Sequence, residues 1–145
     1  MTAEPDATLP AAPRVRGLLR VVFLIHGVIT LAAAVVLAVL PAAIPATVGI
    51  DVGPDAFLLS YFLAAAELAI GLLSLGAAQL SDPAAVRLIV VVFVVFHLAT
   101  AALEVVYLLF APVTAVLLVN IAVRVIAAVV FIVAWRSWHR RVTMG

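Results

Sequence analysis

Four long apolar stretches, at 18–40, 57–80, 84–110 and 113–135, take up most of the chain, and short polar or proline-bearing connections separate them. At about 1.5 Å per helical residue, each is long enough to cross a hydrocarbon core of roughly 30 Å. The pattern predicts an all-α fold, a polytopic membrane four-helix bundle. The punctuation agrees with it. Pro41 and Pro45 end the first stretch, and Gly49, Gly53 and Pro54 make the following connection irregular. Asp55 is placed to cap the second helix. Ser81-Asp82-Pro83 reads as a turn, with Asp82 at the N-cap and Pro83 at the first helical position. Ala111-Pro112 restarts the chain before the fourth helix.

Polar positions inside the stretches recur at helical spacing. In the run 88–110, His97, Thr100 and Glu104 share one helix face. The second helix carries a small-and-polar stripe of Ser60, Ala64, Glu67, Gly71, Ser74 and Ala78. The matching stripe on the first is Phe23, His26, Thr30, Ala33 and Leu37. On the fourth, Asn120 and Arg124 share a face with Ala127 or Ala128. Small residues let helices approach closely where lipid supplies no hydrophobic drive between them. The stripes are therefore expected to face inward. By count along the helices, His26, Glu67, His97 and Arg124 fall within a turn or two of the bilayer midplane, with Glu104 and Asn120 nearer one surface.

Composition sharpens this picture. The 145 residues are 68% hydrophobic and 10% charged, with mean hydropathy +1.40, far from the soluble norm of about 25% charged. A net charge of +1 argues against a nucleic-acid binder, which would show a basic face. The absence of cysteine excludes disulfides, thiol catalysis, cysteine-held iron–sulfur clusters and c-type haem attachment. Residues 1–13, with three prolines and no apolar period, read as a disordered tail ahead of a four-helix domain at 14–138 and a tail at 139–145. The first stretch is too long for a secretory signal core of roughly 7–15 residues. Arginine is the only basic residue besides histidine, and seven of the eight arginines flank the termini and the 81–87 turn. The positive-inside rule then places both termini in the cytoplasm, and the use of arginine without lysine in an Ala/Val-rich chain suggests a GC-rich bacterium and hence its inner membrane. Tyr61 and Tyr107 at one end, and Trp135 and Trp138 at the other, are expected as interfacial anchors, with His139 solvated beside the headgroups.

Ionisable groups inside a membrane span are costly, and they mark function or an internal ion-pair network. Arg124 stays charged and requires a carboxylate, from Glu67 or Glu104. Ser60, Ser74 and Thr100 are expected to bond their own helix backbones. The candidate site is His26, Glu67, His97, Glu104, Asn120 and Arg124, with His26, Glu67, His97 and Glu104 the acid–base candidates. It has no helical metal motif, so no metal is assigned.

Four functions fit these residues. The first is binding of a lipophilic small molecule, a quinone or isoprenoid, by an accessory subunit that can be redox-linked. The second is proton-coupled transport by a small transporter, as a homo-oligomer or within a larger membrane complex. The third is membrane-embedded acid–base catalysis on a lipophilic substrate, and the fourth is b-type haem ligation by His26 and His97. Whether the protein is an enzyme stays open at this point. The segment Ala66-Glu67-Leu68-Ala69-Ile70-Gly71-Leu72-Leu73, with Asp82-Pro83 and His97 after it, resembles small four-helix bacterial membrane proteins of the DoxX group. That resemblance implies an association with quinone-linked redox complexes. A parallel repeat also suggests itself, because His26 to Pro41 and His97 to Pro112 are both 15 residues apart, each after a Val-rich run.

Overall fold

The computed structural model describes residues 14–144, so the tail expected at 1–13 lies outside the described residues. Five α-helices follow one another: α1 (Leu18–Val39), the short α2 (Ala43–Thr47), α3 (Phe57–Ala77), α4 (Pro83–Tyr107) and α5 (Ala115–Thr143). All but α2 are long and apolar enough to cross a membrane, which makes this a membrane protein of four candidate spans.

Local chemistry sets the ends of these helices. Asp82 caps α4 as expected, accepting from the amides of Ala84 and Ala85 at 2.9 and 3.3 Å. Asp55 does not cap α3. It lies within a 3₁₀ turn, Pro54–Ala56, and Ala56 occupies the cap position without a side-chain bond. At α5 the cap is Thr114, whose hydroxyl accepts from Leu117 N. The last helix also runs well past Trp135. No breaker follows, and Arg140 and Arg141 in its final turn favour the negative end of the helix dipole. The segment expected as a tail from 139 is therefore helical as far as Thr143.

The long helices pair as α1 with α3 and α4 with α5, and the two pairs join along α1 and α5. The first pair is joined at glycines. A Cβ built on Gly27 would stand 3.1 Å from the Gly71 carbonyl, and one on Gly71 would stand 3.2 Å from the Gly27 carbonyl. Only backbone fits there. The buried stripe of α1 is accordingly Leu19, Phe23, Gly27, Thr30, Ala34 and Leu37: Phe23, Thr30 and Leu37 are buried as expected, while Gly27 and Ala34 take the places expected for His26 and Ala33. On α3 the expected stripe holds at Ser60, Ala64, Gly71, Ser74 and Ala78, while Glu67 is only half-buried.

The apolar core sits at the end of the bundle that carries the chain termini. Val15, Leu19, Phe23, Ala77, Ala78, Val86, Val90, Phe93, Phe131, Ala134 and Trp138 form one cluster there. Trp138 is only 4% exposed, which makes it a core residue and not an interfacial anchor. Its neighbour Trp135 stacks on His139, ring centroids 5.2 Å apart. His139, expected to be solvated, is thus half-covered, with its Nδ1 buried. The Val15 amide closes this end by donating to the Leu80 carbonyl at 2.8 Å. Towards the other end, the large buried side chains thin out to Leu37 and Leu117.

Candidate functional site

Where the apolar core ends, α1, α3 and α4 bring three polar side chains together. Ser74 on α3 is completely buried and stands 2.9 Å from the Phe23 carbonyl oxygen of α1. Two oxygens at that distance need a proton between them, and only the serine has one. Ser74 therefore donates to Phe23 and accepts from the Nδ1–H of His26, 3.0 Å away. That leaves Nε2 of His26 as a lone pair. His97 on α4 meets it with its own Nε2 at 3.2 Å, so His97 Nε2 is the donor. The polarity of the whole chain follows from the hydroxyl at its end. His97 Nδ1 is then a lone pair, and it is buried with no hydrogen-bond partner.

Aromatic rings hold the two imidazoles in place. Phe93 and Phe131 lie 4.9 and 5.1 Å from the His26 ring, and Phe131 also stacks on His97 at 6.1 Å. The packing has a chemical consequence. A haem iron ligated by both histidines would occupy the space between their Nε2 atoms, with the porphyrin plane in the same gap. In this chain a direct N–H···N bond fills that gap and phenyl rings surround it, so the pair does not fit a b-type haem. Among the described residues no group of three or more His, Asp or Glu side chains is placed to hold a metal ion.

A second polar group joins α4 to α5. Glu104 Oε1 accepts from Arg124 Nε at 2.9 Å and from Asn120 Nδ2 at 2.7 Å. The carboxylate and guanidinium side chains are 16% and 21% exposed, so the pair is largely withdrawn from its surroundings. Charge-assisted bonds of this kind are roughly twice as strong as neutral ones. Arg124 also lies 5.9 Å from the centre of the Phe96 ring. Glu104 Oε2, like His97 Nδ1, is buried and unpaired.

The six candidate residues thus form two groups and a remainder. His26 pairs with His97, Glu104 gathers Asn120 and Arg124, and Glu67 makes no hydrogen bond within the described residues. Arg124 takes Glu104 of the two available carboxylates. Ser74 belongs to the site although it reads in sequence as a helix-bonded serine, and Ser60 likewise bonds across elements, to the Pro41 carbonyl at 2.8 Å. Only Thr100 bonds its own helix, at Phe96 O. The available signal for Ser74 was its place on the small-residue stripe, which brings its hydroxyl against a neighbouring backbone.

Two surface hollows, of about 350 and 290 Å³, lie elsewhere. Pro45, Ile50, Leu59 and Ser60 help to line one, and Ala34, Ala38, Tyr61 and Ala64 the other. Neither includes a candidate site residue. Comparison with models of protein families, with curated proteins and with solved structures gives no match.

Proposed function

We propose that this is a small membrane-embedded accessory protein that holds the polar head of a lipophilic molecule, of quinone or isoprenoid type, against α4. One observation carries the reading. Two buried lone pairs on the same face of α4, His97 Nδ1 and Glu104 Oε2, have no partner in the protein. Buried polar atoms are almost always satisfied, and an orphan needs an explanation. A bound headgroup supplies one. The distribution of packing supports access from the end away from the chain termini, where few large side chains are buried. The arginine distribution supports a cytoplasmic location for both termini, and the arginine-only, Ala/Val-rich composition supports a bacterial inner membrane. The DoxX-like segment around Glu67 supports a link to membrane redox chemistry.

Proton-coupled transport has less behind it. The polar chain from His97 through His26 and Ser74 stops at a backbone carbonyl. Beyond it lie Leu19, Phe23, Phe93 and Phe131, all buried. A proton taken up there has no onward partner towards the terminal end.

Native mass spectrometry of the protein released from its membrane tests the proposal. A specific lipophilic adduct is expected on the wild-type chain, and it should be lost from His97→Phe, which keeps an aromatic ring against Phe131 but removes the lone pair. Finding no adduct, or equal retention by a folded His97→Phe variant, overturns the reading.

A further inference from the structure

The donor and acceptor inventory of the site narrows what it can hold, given the headgroup reading above. We infer that the site selects the hydroxyl form of its ligand: an uncharged, lipid-soluble phenol or alcohol, in preference to the corresponding quinone or phosphate.

The argument starts at Ser74. Its only proton is committed to the Phe23 carbonyl. This fixes His26 as the Nδ1–H tautomer and His97 as the Nε2–H tautomer. The open nitrogen of His97 can therefore only accept. Seven residues along α4, Glu104 Oε2 is a second unsatisfied acceptor. The heptad spacing puts both on one face of the helix, about 10 Å apart along its axis. A quinone offers carbonyl oxygens, which are acceptors too, and would leave both orphans unpaired. A hydroxyl donates to either.

Charge disfavours the phosphate. The charged or titratable side chains near this face are Glu104 on α4, Arg124 on α5, Glu67 on α3 and His26 on α1. Arg124 is the one fixed cation among them, and Glu104 already pairs with it at 2.9 Å. Because Glu104 already neutralises Arg124, an anionic headgroup would leave the group with a net negative charge, and burying an unpaired charge is costly. Ser74 is thus a positioning residue. It touches no ligand, yet it decides which way His97 points its proton.

The test uses the full chain in lipid nanodiscs and two pairs of probes, a decyl-substituted hydroquinone with its quinone and farnesol with farnesyl phosphate. The hydroxyl member of a pair should bind on the order of tenfold more tightly than its counterpart, the effect expected when a buried acceptor is satisfied rather than left bare. The pair that shows binding identifies whether the ligand is phenolic or isoprenoid. Ser74→Ala should bring the ratio towards one, because both histidine tautomers then become accessible. A higher affinity for the quinone or phosphate overturns the selectivity while leaving the headgroup reading intact, whereas no binding by any probe counts against both. Nitrogen-15 NMR of the ligand-free protein is independent of binding and of every variant. It should find His97 bare at Nδ1 and His26 protonated there, and the opposite pattern overturns the inference.

Discussion

The two helix pairs are joined in opposite ways. In α1 and α3 the contact is backbone against backbone at Gly27 and Gly71, with no ion pair and a single buried serine bridging the helices. In α4 and α5 it is a charged and amide cluster, Glu104 with Arg124 and Asn120, and α5 has no buried residue between Leu117 and Ala128. Shape fixes the first register and directional polar bonds fix the second. A glycine crossing tolerates almost no change, because its atoms are already in contact. A polar cluster at the edge of a sparsely packed region can exchange partners. The pair built on polar bonds is the one that carries the unsatisfied acceptors, which is where the proposed headgroup would bind.

Substitutions can break this contrast. Arg124→Met should be the most damaging, costing about 3 kcal/mol, since it strands Glu104 largely buried. The double variant Arg124→Met with Glu104→Met should recover most of that loss, because apolar side chains of similar volume replace the whole pair. Unfolding in mixed micelles measures both, and a double variant as unstable as the single one would show that the cluster is needed for more than charge balance. Gly27→Ala should cost about 2 kcal/mol through overpacking, as its new Cβ meets Leu75 Cδ2 at 2.6 Å and the Gly71 carbonyl at 3.1 Å. If Gly27→Ala leaves the melting temperature unchanged, the first pair is looser than its geometry implies. Ser74→Ala should cost about 2 kcal/mol, since it removes two buried hydrogen bonds, one to the Phe23 carbonyl and one from His26. The smallest effect is expected from Thr100→Val, within about 0.5 kcal/mol, because that hydroxyl bonds only its own helix.

The helices were legible because length, hydropathy and Pro/Gly punctuation are properties of one segment at a time. So was the cap at Asp82, where proline follows a short acidic acceptor. The grouping of the polar residues was not. Sequence counts place His26, Glu67, His97 and Arg124 at one depth, but depth does not say which faces meet. The crossing at Gly27 and Gly71 rotates α1 so that its buried stripe runs beside His26 and not through it. That rotation lets His26 reach Ser74 on one side and His97 on the other. Trp138 misled for a related reason. An aromatic next to arginines suggests an interface, yet α5 continues and carries the ring into the core.

The terminal core also has a history during synthesis. It is assembled from both ends of the chain: Val15, Leu19 and Phe23 on one side, Phe131, Ala134 and Trp138 on the other. The Val15 amide finds its acceptor only once Leu80 has been made, and Trp138 emerges later still. Each span can enter the bilayer as it is translated, but the seal between the helix pairs waits for nearly the whole protein. A chain stopped before Phe131 would keep its first pair and lack the closure. The inner faces of Leu19, Phe23 and Phe93 would then lack the side chains that cover them in the full protein.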